Sequence, residues 1–160
     1  MTIINIVIDT TCLRLIQSND VYNYYSGYLY ERICWLMQLR NGVANIHLSS
    51  RSNLKKKALV DFLASRNNHK FQIDMGRIKD IKIIPNERKK LLQLADCCCS
   101  ALYQALKYNN ETHFKYIEGI YPRFYRNRYG KVISYGLKLV PSDSRAEEVH
   151  KLLSFLQSKK

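Results

Sequence analysis

The sequence predicts an α/β fold. Short β-branched apolar runs alternate with segments of helical spacing, and 160 residues suit an ordinary domain with a sizeable core. Residues 2–8 are apolar and β-branched and are closed by Asp9, which predicts a buried strand ending in a carboxylate. A loop follows to about Asp20, a candidate N-cap for a helix over 22–39. In that helix Tyr22, Tyr25, Leu29, Ile33 and Leu36 share one stripe, and Asn41-Gly42 stops it. Residues 43–48 alternate and predict a second strand. Ser52 or Asn53 then caps a helix over 54–65 that turns Leu54, Leu59, Phe62 and Leu63 inward. A third strand is expected over 80–84, ended by Pro85. A long helix is expected over 87–108 with the stripe Leu91, Ala95, Cys98, Leu102 and Leu106, and Asn109-Asn110 ends it. Aromatic and basic residues mix up to Gly130, and 132–139 reads as a further strand. Pro141 and Ser142 break the chain before an amphipathic helix over 144–156. This divides the chain into an α/β domain over 1–142 and a C-terminal helix, 143–160, packed on it.

No stretch approaches the roughly 20 apolar residues of a membrane span. The N-terminus has no basic leader, and its apolar run is short for a signal peptide. The expected location is cytoplasmic. The five cysteines, Cys12, Cys34 and Cys97-Cys98-Cys99, are odd in number and lack CxxC spacing, so buried reduced thiols are expected rather than disulfides or zinc. The charge narrows the partners most. With 26 Lys and Arg against 13 Asp and Glu, the formal net charge is +13, which attracts polyanions. Nucleic acid ranks first, an acidic protein second. A membrane surface is not expected, because no basic amphipathic helix with a Trp/Leu face stands out.

Four constellations are candidates for chemistry. Asp96, in Leu92-Gln-Leu-Ala-Asp96, falls one position past the stripe, on the flank of the core-facing side, where a carboxylate needs a partner. Asp9 stands at a strand end. Two such carboxylates are one way to hold Mg²⁺ or Mn²⁺ and clamp a phosphodiester, although Asp is more often a turn or cap residue. Residues 121–131 hold Arg123, Arg126, Arg128 and Lys131 among four aromatics and no acid. Arginine forks bind phosphates and aromatic faces stack on unpaired bases. Equally, those rings can be core and the arginines a solvated rim. Finally Arg51, Lys55, Lys56 and Lys57 cluster at a helix N-terminus, where anions are favoured. No GxxxxGK[ST], GxSxG or HExxH is present, so phosphate-loop, serine-hydrolase and zinc-protease chemistries have no support.

Leu-Gln-Leu-Ala-Asp96 on a helix, then Tyr121-Pro-Arg-Phe-Tyr, then Ser134-Tyr-Gly-Leu-Lys-Leu-Val-Pro141, resembles the C-terminal part of a prokaryotic family known as domain of unknown function 3800. Its members are regarded as RNase H-like nucleases. The order of helix 22–39, strand 43–48 and the basic helix after it is similar too, so the resemblance covers most of the chain. It implies an RNase H-like α/β fold, here partial, with a mixed sheet flanked by helices, and a nucleic-acid setting. The departures concern the acids. The family's N-terminal Asp-Glu-Ser-Gly motif has no counterpart here. Where the family carries an acid and an Arg after the first long helix, this chain reads Ser49-Ser50-Arg51. RNase H-like catalysis needs several carboxylates converging on metal. The expectation is therefore a nucleic-acid-binding RNase H-like domain, for DNA or RNA, acting within a complex. A protein partner, or a second copy, would cover its incomplete sheet. Two alternatives stand beside it. One is a metal-dependent nuclease using Asp9, Asp96 and a third acid such as Asp61, Asp74 or Glu118. The other is a basic regulator that binds an acidic protein.

Overall fold

The computed structural model describes residues 1–12, 18–50, 56–66, 73–143 and 145–158. In chain order they form β1 (Asn5–Ile8), α1 (Ser18–Leu39), β2 (Ala44–Ser49), α2 (Lys56–Arg66), β3 (Ile78–Ile84), α3 (Lys90–Tyr108), α4 (Glu111–Glu118), β4 (Leu137–Val140) and α5 (Ala146–Ser158). The α/β class holds. Among the described residues the strands pair in two small parallel sheets, β1 with β4 and β2 with β3, where one mixed sheet was expected. Parallel pairing follows from the connections. Each pair is joined by a long crossover containing helix, and a parallel pair cannot be closed by a tight hairpin. No described helix is long and apolar enough to cross a membrane.

The chain divides into two compact units, Arg14–Gln93 and Met1–Leu13 with Leu94–Lys160. In the first, β2 and β3 run in register from Ala44↔Ile78 to Ser49↔Ile84, with one irregularity between Ala44 and Asn45. Its core is Tyr30 and Cys34 of α1, Ile46, Leu59 and Leu63 of α2, Ile73 and Ile81. Leu59 and Leu63 stand where helical spacing put them. On α1 Leu36 is buried as expected, but Tyr30 and Cys34 are buried in place of the expected Leu29 and Ile33, which are half-buried. Helix α1 also buries a charged pair. Arg32 Nη1 donates to Glu31 Oε2 and to the Tyr28 carbonyl, each at 2.9 Å, and its guanidinium lies 5.0 Å from the Trp35 ring centre. A buried, paired charge is invisible to a hydrophobic stripe. The side chains of Tyr22 and Tyr25 and all of Ser52, Asn53 and Leu54 lie outside the described residues.

In the second unit, β1 and β4 pair from Asn5↔Leu137 to Ile8↔Val140. Cys98, Leu102, Ala105 and Leu106 of α3 pack with Phe114 and Ile117 of α4, Val149, Leu152 and Leu156 of α5, and Leu137 and Leu139 of β4. The stripe on α3 therefore starts at Cys98. Leu91 and Ala95, expected to be buried, are exposed. Helix α4 has no counterpart in the expected elements, because the two asparagines do two jobs. Asn109 takes a left-handed φ of 48° and ends α3. Asn110 is extended and caps α4, its Oδ1 accepting from the His113 amide at 3.2 Å. Gly136 packs backbone to backbone against Tyr125: a Cβ there would stand 2.4 Å from the Tyr125 oxygen and 2.6 Å from its nitrogen.

Candidate nucleic-acid interface

The expected carboxylates come first. Asp9 directly follows β1, its amide donating to the Val140 carbonyl at 3.0 Å. Its Oδ1 accepts from the Thr11 amide at 3.1 Å and the Thr11 hydroxyl at 2.6 Å, and its Oδ2 faces Arg145 Nε at 3.5 Å. The carboxylate is thus held as a turn-closing and ion-pairing group. Arg145 in turn donates to Glu148 at 3.0 Å. Asp96 is on an exposed stretch of α3 rather than on the flank of its buried stripe, and it is not among the residues lining the groove that Asp9 borders. Of the third-acid candidates, Asp61 and Glu118 are exposed, and Asp74 caps a short turn by accepting from the Gly76 amide at 2.9 Å. No three His, Cys, Asp or Glu side chains group to hold a metal ion among the described residues. Among the described residues Asp9 is engaged by Thr11 and Arg145.

The groove has a volume of about 350 Å³ and lies between β1 and α3, with Asn5, Asp9, Thr11, Tyr103, Lys107 and Arg145 in its walls. Cys99 is also there, donating to Asn5 Oδ1 at 3.5 Å. Desolvation pushes its thiol up, and the nearby charge of Asp96 acts in the same direction. Burial likewise raises Cys98, which belongs to the core, while Cys97 is exposed. Raised thiols stay protonated near neutral pH and are poor nucleophiles.

The segment 121–131 divides between both readings of its rings. Tyr121, Phe124 and Tyr125 are buried, but Tyr129 is 76% exposed. Arg126 is turned onto its own loop. It donates to the Gly130 carbonyl at 3.2 Å and the Tyr121 carbonyl at 3.5 Å, and lies 4.7 Å over the Tyr121 ring. Asn127 shapes the tip. Its Oδ1 accepts from the Tyr129 and Lys131 amides at 3.0 and 2.8 Å, and its backbone bonds those of Gly130 and Lys131. Gly130 supplies the φ of +77° that the turn requires. On this frame Arg128 sits 4.8 Å over the Tyr129 ring, with Arg123 and Lys131 also exposed.

At the basic helix, Arg51 and Lys55 lie outside the described residues. Lys57 is exposed, and Lys56 pairs with Asp80 at 3.1 Å, holding that carboxyl below its usual range. More than half of the basic residues, and fewer than half of the acidic ones, belong to Arg14–Gln93.

One surface has no expected counterpart. Tyr103 and Tyr108 of α3 and Tyr116 of α4 are exposed by 60, 48 and 60%. His113 stacks on Tyr108 with ring centres 4.4 Å apart and meets Tyr116 edge-on at 6.0 Å. Lys107 lies 5.6 Å from the Tyr103 ring and 5.2 Å from that of Tyr108. The signal is present as two tyrosines flanking Lys107, but it becomes a surface only once α4 folds back at Asn110. No protein-family model, curated protein or solved structure matches this chain.

Proposed function

We propose that this chain is a nucleic-acid-binding domain of RNase H-like type that acts within a complex and lacks a complete metal–carboxylate centre of its own. The carrying observation is the tip of residues 127–131. An exposed tyrosine and the arginine over it are presented on a turn already fixed by Asn127, in a chain of net charge +13. Arginine contributes a phosphate fork and tyrosine a stacking face, and a pre-set turn loses little entropy on binding. Support for a partner comes from the sheets. Each has two strands among the described residues, which leaves ladder edges open to another chain.

The test is fluorescence anisotropy with labelled DNA and RNA, single- and double-stranded, over a salt series. The variant combines Arg123→Glu, Arg128→Glu and Lys131→Glu and leaves Arg126, which clamps the loop. Affinity is expected to fall by about tenfold or more. The salt slope should flatten by roughly one for each phosphate that is no longer neutralised. Unchanged affinity and slope would overturn this surface. Metal-dependent cleavage abolished by Asp96→Asn would make the chain an enzyme. A stoichiometric complex with an acidic protein, and no nucleic-acid affinity at physiological salt, would make it a protein-binding regulator.

A further inference from the structure

The geometry of α3 and α4 points to a single-stranded ligand: we infer that Tyr103, Tyr108, His113 and Tyr116 form a stacking track for unpaired bases, ending in the groove beside β1. The inference rests on the nucleic-acid reading and narrows it to one substrate class. Stacking needs an open base face. Bases inside a duplex have both faces covered by their neighbours, so a row of exposed rings selects unpaired strands.

The rings are arranged for that use. His113 already stacks on Tyr108 at an interplanar angle of 25°, so the pair forms a stiff platform rather than two independent side chains. Lys107 stands between Tyr103 and Tyr108, where a phosphate linking two stacked bases would pass. Lys151 is held near the end of α3 by donating to the Asn109 carbonyl at 3.0 Å. Lys107 beside two of the rings makes a phosphate-bearing ligand a better match here than an apolar protein face.

The track continues into the groove, since Tyr103 and Lys107 belong to both. A volume of about 350 Å³ is on the scale of one small ligand, here one nucleotide unit. Asn5 lines it at 5% exposure, and its amide Nδ2 has no hydrogen-bond partner among the described residues. A buried donor left in that state is costly, and a base carbonyl or ring nitrogen reaching the Asn5 end of the groove would satisfy it. Lys107 on the wall supplies positive charge for the attached phosphate, while Arg145 is already paired with Asp9 and Glu148.

The experiment compares fluorescein-labelled oligo(dT) and oligo(U) with duplexes of the same length, using the full chain and a Tyr103→Ala/Tyr116→Ala variant. These side chains are exposed, so the fold should survive, which far-ultraviolet circular dichroism checks. Single-strand affinity is expected to fall about tenfold or more, and duplex affinity to change less than about twofold. Tyr103→Phe/Tyr116→Phe should keep wild-type affinity, because the ring and not the hydroxyl is used. The DNA and RNA arms show which strand is preferred, and loss in either supports the track. Equal wild-type binding to single strands and duplexes, or unchanged single-strand affinity in the alanine variant, would overturn the track and leave the nucleic-acid reading standing. No wild-type binding to any of the four ligands would overturn both.

Discussion

Gly136→Ala is expected to destabilise the unit that contains β1 and β4 by about 3 kcal/mol or more and to lower its melting temperature by about 12–24 °C. The new methyl carbon would lie 2.4 Å from the Tyr125 oxygen, 2.6 Å from its nitrogen and 3.1 Å from its carbonyl carbon. These are backbone atoms and cannot swing aside as a side chain would. Relief would require moving one segment away from the other. Both are tied: the Gly136 carbonyl accepts from the Asn5 amide at 2.8 Å, and the Tyr125 amide donates to the Ile3 carbonyl at 2.8 Å. Separation therefore strains the β1–β4 pairing as well. Gly119→Ala is the matched control, since nothing lies within 4 Å of its would-be Cβ and its φ is −67°. It should be neutral or slightly stabilising. Thermal unfolding of the two variants side by side decides the matter. A Gly136→Ala protein that melts with the wild type would show that the close approach is not maintained in solution.

Arg32→Met is expected to cost about 3–5 kcal/mol in the other unit, because it leaves the Glu31 carboxylate buried without its guanidinium. Arg32 and Glu31 side chains are 4% and 10% exposed. The guanidinium also covers the faces of Trp35 and Tyr28, at 5.0 and 5.8 Å from the ring centres, so methionine replaces volume but neither charge nor ring contact. Trp35 is the chain's single tryptophan, which makes its fluorescence a direct reporter of this unit in urea unfolding. The double variant Glu31→Gln/Arg32→Met should regain a good part of the loss. Equal midpoints for wild type and Arg32→Met would show that the pair contributes nothing.

How much of this was legible in the sequence depended on whether the cause was local. The strand before Asp9 was legible as a β-branched apolar run, and the strand 43–48, the inward face of α2 and the presence of α5 as periodic patterns, because each is decided by residues close in the chain. Helix α4 was hidden because Asn109-Asn110 reads as a stop signal, and one residue of that pair is also a start signal. The charged pair that α1 buries was hidden because burial scales place such residues outside. The role of Asp9 turns on Arg145, 136 residues later, which no local pattern can show. In 121–131 the mixture of rings and cations was visible. Which ring faced outward was not, since Tyr121, Phe124, Tyr125 and Tyr129 follow one another at similar spacings, and only the Asn127 turn separates the last from the core.

That turn separates two kinds of position. Asn127 and Gly130, with the inward-turned Arg126, set the shape of the tip, while the Arg128 and Tyr129 side chains take no part in holding it. Framework and display are thus assigned to different positions. Two adjacent residues can be exchanged without rebuilding the scaffold, so drift at 128 and 129 would come at little cost in stability and, on the proposed nucleic-acid reading, would retune ligand preference. Substitution at 127 would instead change the shape of the tip itself.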